Sequence, residues 1–343
     1  MLIISKKDVT FLNNTNLKKL LNEYERKRIQ EENDLQYRKN ELYNSYPRLQ
    51  EIDNELSSLA ISTAKELIKK NNKEILNNLN TSIENLKNEK KDLLFSIGKD
   101  YSYLTPNYEC PLCKDTGYIT NNYETKMCNC LKQKLFNIEY NKSNLSNLEN
   151  QNFSTFDSTV YSSIVDKVKF GSDKSPRENI EIIKQISLNF INNFDDLNEK
   201  NLLFTGNTGL GKTFLSSCIA NEILKKQKTV LYQTAPIMLD SIIDYRFGKN
   251  STNIYNNILD VDLLIIDDLG TECINNMKFT ELFNIINTRL LNQNNKSTKT
   301  IISTNLSIQN LFNSYDERIV SRLIGNYNIC RFYGEDLRFK LRK

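Results

Sequence analysis

The first hundred residues repeat their apolar positions with the spacing of a helix. Leucine and isoleucine recur at a and d heptad positions in two runs, namely Leu42, Leu49, Ile52, Leu56 and Leu59, then Leu76, Leu79, Ile83, Leu86, Leu93 and Ile97. The pair Asn71-Asn72 separates the runs. Because neither run can bury its apolar stripe alone, we expect an antiparallel helical hairpin, preceded by a shorter helix around 17–29. A coiled coil used for self-association fits the same pattern equally well.

From residue 201 onward, short continuous apolar runs alternate with amphipathic segments. The runs predict strands at 201–204, 229–235, 261–267, 300–304 and 329–333. Helices are predicted at 180–191, 214–224, 237–247, 278–291 and 308–324. Apolar strands that alternate with helices form parallel sheets with helices on both faces. The sequence therefore predicts an α/β fold in this half of the chain.

A glycine-rich segment lies between the first of these strands and its helix. It reads Gly206, Asn207, Thr208, Gly209, Leu210, Gly211, Lys212 and Thr213, with the G-x-x-x-x-G-K-[ST] spacing of a phosphate-binding loop. Its backbone N–H groups are expected to surround an anion at a helix N-terminus. Lys212 is expected to reach the β- and γ-phosphates of a nucleotide, and the Thr213 hydroxyl to bind Mg²⁺. Phe214 follows directly and completes the predicted nucleotide-binding segment.

Two carboxylates end the central strand, and a polar residue follows the next one. Four apolar residues lead into Asp267 and Asp268, which is a Walker B pattern. Asp267 is expected to hold Mg²⁺ beside Thr213, and Asp268 to orient or deprotonate the attacking water. Many related ATPases carry Glu in place of Asp268, and the shorter side chain predicts slow or partner-dependent hydrolysis. Asn305 follows the 300–304 strand and is expected to contact the γ-phosphate or the water.

Three arginines near the end of the chain are candidate contacts to the same nucleotide or to a neighbouring one. Arg318 and Arg322 lie four residues apart and project from one helix face, which suits a clamp on the nucleotide of an adjacent subunit. A solvated helix face is the alternative interpretation. Arg338, in the segment Gly-Glu-Asp-Leu-Arg, is placed to reach the γ-phosphate within its own subunit.

Four of the seven cysteines form two closely spaced pairs, Cys110 with Cys113 and Cys128 with Cys130. This spacing predicts a structural Zn²⁺ site of four thiolates, which has a folding role because no coordination position stays open. Buried cysteines or a labile disulfide are the alternatives. The remaining cysteines, Cys218, Cys273 and Cys330, lie in apolar contexts and are expected in the core.

Composition narrows the chemistry further. The 343 residues include no histidine, which excludes histidine ligands, histidine bases and a Ser-His triad. The net charge is only +4, so contacts to nucleic acid have to come from local patches. No apolar segment approaches the roughly 18 residues of a membrane span, and the first residues lack a signal peptide pattern. Together with the odd number of cysteines, this predicts a cytoplasmic protein.

Composition also suggests four regions along the chain. We expect a helical partner-binding region at 1–104, a four-cysteine zinc module at 105–135, a polar linker at 136–152 and an ATPase domain at 153–343. The expected linker is rich in Asn and Lys.

Residues 150–343 resemble the AAA+ ATPases, and specifically the DnaC/DnaI-type bacterial replicative helicase loaders. The resemblance rests on GNTGLGKT, LLIIDDLGTE, ISTN, ERIVSRL and GEDLR. The segment CPLCKDTGY…CNC also resembles the cysteine-rich N-terminal regions of Gram-positive members. Transposition helper ATPases of the IstB type share nearly all the core motifs and are the nearest alternative.

The resemblance implies an ASCE core with strand order 5-1-4-3-2 that binds ATP. It implies that Asn305 is sensor 1, that Arg322 is an arginine finger acting in trans with Arg318 beside it, and that Arg338 is a candidate sensor 2. It also implies self-association through the AAA+ domain, single-stranded DNA as a ligand, and a hexameric replicative helicase as the partner of the N-terminal region. The predicted hairpin at 35–98 is longer than in the family. A zinc-containing scaffold that binds nucleotide with little hydrolysis is a third alternative.

Overall fold

The structure is a computed structural model. It describes residues 3–4, 15–68, 73–121, 124–140, 150–249, 254–273 and 275–339. Asn71-Asn72 and most of the expected linker, residues 141–149, lie outside the described residues. Two compact units are present: the first contains residues 17–128 and the strand at 3–4, and the second contains residues 129–339.

Three helices make up most of the first unit: α1 (Thr15–Ser45), α2 (Pro47–Ile68) and α3 (Lys73–Ser96). The predicted hairpin is confirmed, because residues near the start of α2 pair with residues near the end of α3. Arg48 donates to Glu89 at 2.7 Å, and Lys90 donates to Asp53 at 2.5 Å. The first helix extends well beyond the predicted 17–29. Pro47 is the first residue of α2, where a missing N–H removes no helical hydrogen bond.

The apolar seam of the hairpin is buried only near the α1–α2 junction. Leu42, Leu49 and Leu94 form a buried cluster there with Leu104, and Ile52 is also fully buried. Further along the hairpin the seam residues are only half-buried, namely Leu56, Leu59, Leu79, Ile83 and Leu86. Away from the α1–α2 junction, two helices alone enclose little apolar surface, and the seam residues are therefore less buried there.

A small sheet follows the hairpin. It contains β1 (Ile3–Ile4), β2 (Tyr118–Asn121) and β3 (Glu124–Met127) in the order β1-β3-β2. The chain that leads into it is held against α1, since Arg38 Nε donates to the Tyr103 carbonyl at 3.2 Å and Glu31 accepts from the Asn107 N–H at 2.9 Å. This pairing fixes the approach to the first cysteine pair.

The second unit is built on a five-stranded parallel sheet. Its strands are β4 (Asn201–Thr205), β5 (Val230–Thr234), β6 (Leu263–Leu269), β7 (Lys299–Thr304) and β8 (Tyr327–Arg331). They lie in the order β5-β6-β7-β4-β8, and every neighbouring pair is parallel. Counted from β4 as the first strand and read from the β8 edge, this order is 5-1-4-3-2. The strand order that the resemblance implied is confirmed.

Nine helices of the described residues accompany this sheet. They are α4 (Asn129–Glu139), α5 (Lys167–Phe170), α6 (Pro176–Asn192), α7 (Lys212–Lys225), α8 (Ala235–Arg246), α9 (Ile254–Asp260), α10 (Asn276–Gln293), α11 (Ile308–Ser314) and α12 (Glu317–Asn326). Alternate strand residues face opposite helical layers: Leu203 packs with α8–α12, while Leu202 and Phe204 pack with α6 and α7. The predicted α/β architecture is thus confirmed. Among the described residues, no helix combines the length and the apolar character that a membrane crossing requires.

Helix α4 protects the β5 edge of the sheet. The Gln133 side chain accepts from the Val230 N–H at 2.7 Å and donates to the Val230 carbonyl at 2.9 Å, so its amide takes the place of a neighbouring strand. Phe136 on the same helix is fully buried in the core. The first residues of the segment expected as a linker therefore continue a packed helix.

Two expectations differ from the structure. The predicted helix at 308–324 is divided into α11 and α12, because the Asp316 side chain accepts from the Arg318 N–H at 2.9 Å and begins a new helix. The expectation that Cys273 lies in the core is wrong, since this cysteine is exposed, whereas Cys218 and Cys330 are buried. Cys273 follows the turn after β6 rather than lying within a strand, and its side chain therefore has no sheet face to pack against.

Candidate nucleotide-binding site

The glycine-rich loop connects β4 to α7, as the sequence predicted, and its glycines permit close approach of other segments. Gly209 has φ 74°, and a Cβ there would lie 1.9 Å from Oδ1 of Asp336. Gly211 has φ 87°, and its Cβ would lie 2.5 Å from the hydroxyl oxygen of Tyr161. A side chain at either position would be strained and would collide, so glycine is required at both.

Lys212 is anchored at the centre of the site. Its Nζ donates to the carbonyls of Gly206 at 2.6 Å and Asn207 at 2.7 Å, and to Oδ1 of Asn305 at 2.8 Å. The loop and the residue after β7 are therefore brought together. Burial lowers the pKa of Lys212 to about 8, because the buried ammonium loses its hydration.

Oxygen donors suited to Mg²⁺ lie beside the loop. Thr213 Oγ1 donates to Oδ2 of Asp267 at 3.1 Å. Asp267 also accepts from the hydroxyl of Tyr232 at 2.9 Å and from the hydroxyl of Ser303. Mg²⁺ prefers oxygen ligands such as a hydroxyl and a carboxylate, so Thr213 at the end of the phosphate loop and Asp267 beside it fit this ion.

Asp268 is turned out of the regular sheet by a bulge. The β6–β7 register shifts between Ile266 and Leu269, and Asp268 itself has φ 55°. Its N–H donates to Oγ of Ser303 at 3.1 Å. The pKa of the Asp268 carboxyl is raised, first by burial and then by the charge of Asp267. Such bulges re-aim a side chain next to active sites, and a raised pKa strengthens a carboxylate as a base.

A cavity of about 340 Å³ adjoins the phosphate loop. It is lined by Thr155, Phe156, Asp157, Val160, Tyr161, Gly209, Gly211, Phe214, Leu337 and Arg338. Tyr161 donates from its hydroxyl to the Leu210 carbonyl at 2.9 Å, which ties this wall to the loop. The volume and the mainly apolar lining suit the base of a nucleotide whose phosphates lie in the loop. The sequence analysis missed the wall formed by residues 155–161, for which the aromatic residues before α6 were the only signal.

Arg338 lies beside the phosphate loop, but its guanidinium is bound to another residue. The Leu337 N–H donates to the Gly209 carbonyl at 2.9 Å and holds this segment on the loop. Arg338 donates to the Asp336 carboxylate from Nε at 3.0 Å and from Nη2 at 2.5 Å. The position fits a contact to phosphate, and Asp336 competes for the same guanidinium.

Arg318 and Arg322 share one aromatic support on α10. Their guanidinium carbons lie 5.3 and 4.5 Å from the ring centre of Phe283. Arg322 Nε also donates to Oδ1 of Asn287 at 2.8 Å, and Arg318 is paired with Asp316. Within the described part of the chain, no hydrogen bond joins either arginine to residues 206–214. Both guanidinium groups lie against Phe283 of α10.

The four paired cysteines come together in the structure. Their Sγ atoms all lie within 4.8 Å of one another, and those of Cys110 and Cys128 are 3.8 Å apart. A tetrahedral Zn²⁺ with Zn–S bonds of about 2.3 Å sets its sulfurs about 3.8 Å apart. Asp115 shapes the loop by accepting from the Cys110 N–H at 2.9 Å. None of the seven cysteines, all of which are described, forms a disulfide.

Comparisons with known proteins agree with this geometry. The family of IstB-like ATP binding proteins matches residues 163–343, which is more than half of the chain. Over 140 residues the chain is 28% identical to the replicative helicase loader DnaC of Escherichia coli K12, covering 40% of this chain and 55% of that protein. It is 26% identical over 148 residues to the putative insertion sequence ATP-binding protein y4pL of Sinorhizobium fredii, covering 42% and 58% respectively.

Among solved structures, a crystal structure of the DnaC helicase loader aligns with 21% identity and a TM-score of 0.42, over 55% of this chain and 99% of that one. In the curated relatives, the matched region spans about half of each protein's length.

Proposed function

The chain belongs to the family of IstB-like ATP binding proteins, and from this premise we propose that it is an ATP-dependent helicase loader in DNA replication. It binds a hexameric replicative helicase and places it on single-stranded DNA, with ATP binding and hydrolysis controlling assembly. The name of the DnaC relatives supports the loader role.

One observation carries the proposal that assembly controls hydrolysis. Lys212 and Asn305 meet at the loop, and Thr213 meets Asp267, so the ends of three strands form one site. The arginine pair on α12, in contrast, is held on Phe283. The arginine beside the loop, Arg338, is paired with Asp336, and a phosphoryl-transfer site of this kind is completed by an arginine supplied in trans. A second copy of the chain therefore contributes Arg322, with Arg318 beside it.

The residues divide the chemistry as follows. The loop from Gly206 to Phe214 and the adjoining cavity hold ATP, and Lys212 neutralises its terminal phosphates. Thr213 and Asp267 hold Mg²⁺, which supplies charge stabilisation when it is bound. Asp268 orients the attacking water, and Asn305 contacts the water or the γ-phosphate. Because Asp268 is one methylene shorter than Glu, hydrolysis is slow or is stimulated by a partner.

The region before the ATPase domain contacts the helicase. We assign residues 1–104 to partner binding, 105–135 to a zinc module, 136–152 to a connector and 153–343 to the AAA+ ATPase domain. The half-buried seam of the α2–α3 hairpin supports a docking role for the first region. Zn²⁺ bound by the four cysteines has a folding role, and single-stranded DNA is bound by the ATPase assembly.

A pull-down with the replicative helicase tests the loader role. Tagged protein is incubated with the helicase and single-stranded DNA, with and without ATP, and Lys212→Ala serves as the nucleotide-deficient control. A complex that depends on ATP and is altered by Lys212→Ala is expected. If no ATP-sensitive complex forms with the helicase, the loader role is wrong. Nucleotide binding without turnover in every mixture would instead favour a nucleotide-switched scaffold.

A transposition helper ATPase is the second candidate. Two findings favour it, namely the family that matches residues 163–343 and the insertion sequence protein among the relatives. Such a factor selects duplex DNA targets, whereas a loader acts on single strands. ATP-dependent assembly on duplex DNA, with neither helicase binding nor preference for single strands, would support this candidate over the first.

A further inference from the structure

The turn after β6 connects Asp268 to a buried carboxylate. Thr271 Oγ1 donates to the Asp268 carbonyl at 2.8 Å, and the Gly270 N–H donates to Oε2 of Glu272 at 2.8 Å. Glu272 is only 7% exposed, although it is an acidic residue in a turn. Its side chain is therefore folded back over the turn that carries Asp268.

The other oxygen of this carboxylate is bound by a distant tyrosine. The hydroxyl of Tyr315 donates to Oε1 of Glu272. Tyr315 is 5% exposed and packs edge-on against Phe279, with ring centres 5.7 Å apart. A hydrogen bond to a buried carboxylate is strong, and the loss of either partner leaves a polar group without its bond in a medium of low dielectric constant.

Tyr315 occupies the junction between α11 and α12. Its N–H donates to the Leu311 carbonyl at 2.9 Å and ends α11. Asp316, the next residue, caps the start of α12. The side chain of Tyr315 thus fixes the point at which α12 begins, and this helix carries Arg318 and Arg322 in its first two turns.

We propose that Glu272 and Tyr315 are positioning residues that hold α12 in place, so that its arginines are presented correctly to the nucleotide bound by a second copy of this chain. The inference rests on the proposed function, because it requires that these arginines act in trans. Neither residue has to touch the nucleotide. Through the hydrogen bond from Tyr315 to Glu272, the turn after β6 holds the start of α12 in position.

The test mixes two variants that are each inactive alone. Receiver subunits carry Arg322→Ala and keep an intact phosphate loop, while donor subunits carry Lys212→Ala and keep their arginines. If arginines act in trans, the mixture recovers ATP turnover. Tyr315→Phe is then added either to the donor or to the receiver. Tyr140→Phe in the donor is the matched control, since it removes a hydroxyl from the same core, where it accepts from Asn257.

Tyr315→Phe in the donor is expected to lower the recovered turnover about tenfold, the effect of losing one hydrogen bond to a buried charged group. The same change in the receiver, and Tyr140→Phe in the donor, should alter turnover less than about twofold. The nucleotide affinity of the Tyr315→Phe single variant should match that of the unchanged chain. A role in stability alone would lower turnover from either side of the mixture.

Glu272→Gln is the second variant, and it decides the question if Tyr315→Phe does not fold. It keeps the size of the side chain and replaces one carboxylate oxygen, which accepts hydrogen bonds, by an NH₂ group, which donates them. In donor subunits, Glu272→Gln should lower the recovered ATP turnover as Tyr315→Phe does. Donor subunits that carry both substitutions should give no less turnover than the poorer of the two single-substitution donors. Full recovery with either variant donor would overturn the positioning role. If donor subunits that carry only Lys212→Ala fail to restore turnover in the receiver, the proposal that the arginines act in trans is wrong instead.

Discussion

Asp336 holds the guanidinium of Arg338 at 3.0 and 2.5 Å, and the same carboxylate stands where a side chain on Gly209 would project. A negative charge thus lies against the phosphate-binding loop, and it is paired with the guanidinium of Arg338 beside that loop. Because Asp336 and a phosphate are both negative, we expect this carboxylate to oppose phosphate binding and to compete with the phosphate for Arg338. The pKa of Asp336 is lowered, mainly by its hydrogen bond from Arg338.

Asp336→Asn should therefore tighten ATP binding. The change removes the charge and releases Arg338, and we expect about a threefold gain in affinity, the scale of an exposed ion pair. A fluorescence titration with labelled ATP measures it. Glu335→Gln is the matched control, because it removes the same charge one residue earlier. The gain should vanish when Arg338→Ala is added, and an equal gain in that double variant would contradict the role of Arg338.

Nucleotide affinity should fall above about pH 8. The pKa of Lys212 is lowered to about 8, so its ammonium is charged below this pH and loses its proton as the pH rises. Phosphate binding favours the charged form, and affinity should decrease by up to about tenfold per pH unit in this range. Titrations between about pH 7 and 9.5 measure the effect. Asp268→Asn should retain the decrease, and a constant affinity across this range would rule out Lys212 as its source.

Tyr232→Phe should weaken Mg²⁺ binding without weakening the binding of metal-free ATP. Its hydroxyl donates to Asp267 at 2.9 Å, and the loss of such an orienting bond lowers metal affinity by about tenfold. ATP binding is measured at increasing Mg²⁺ concentration and again in the presence of a chelator. The comparison separates a loss of Mg²⁺ affinity from a loss of affinity for metal-free ATP. Tyr327→Phe removes another buried hydroxyl of the same sheet and should have no such effect. An equal loss in chelator would show that Tyr232 supports the fold instead.

Arg322→Ala should abolish turnover and leave nucleotide binding intact. An arginine supplied in trans contributes about 10³-fold or more to phosphoryl transfer. Arg246→Ala is the matched control, because Arg246 is also paired, with Glu281 at 3.0 Å, and also lies over an aromatic ring, that of Tyr255. Steady-state ATP hydrolysis at increasing protein concentration measures the loss. Unchanged turnover in Arg322→Ala would refute its role as the finger.

The four-cysteine cluster should contain one equivalent of Zn²⁺. Cys113→Ser should lose the metal and lower the melting temperature, because binding of a structural metal contributes to folding. A strong chelator should have the same effect on the unchanged chain. Cys273→Ser is the control, since this cysteine is exposed and lies outside the cluster. Elemental analysis below about half an equivalent would contradict a tight site.

The nucleotide-binding residues that the sequence predicted most directly belong to motifs of neighbouring residues. The loop from Gly206 to Thr213 is one contiguous pattern, and Asp267 and Asp268 end an apolar strand. Local spacing also predicted the five strands of the ATPase sheet and the cysteine pairs. Such patterns can be recognised without knowledge of the fold, because helical and strand periodicity and motif spacing each span only a few residues.

Several partners of those residues became visible only in the structure. Tyr232 lies in β5 and Ser303 in β7, and they meet Asp267 only because β5 and β7 flank β6. Asp336 and Tyr161 reach the loop from segments far away in the chain. Tyr315, at the junction of the last two helices, likewise meets Glu272 only in the tertiary structure. Their spacing in the sequence carries no information about these contacts.

Sequence patterns alone therefore predicted the class of fold, the phosphate loop and the carboxylates Asp267 and Asp268 of the central strand. Hydrophobic periodicity and motif spacing are local properties, and they need no knowledge of neighbouring elements. Only the tertiary structure shows which hydroxyls bind Asp267, which carboxylate lies against Gly209 and which tyrosine donates to the buried Glu272. Those relationships join residues tens of positions apart, and they exist only once the strand order brings their elements together.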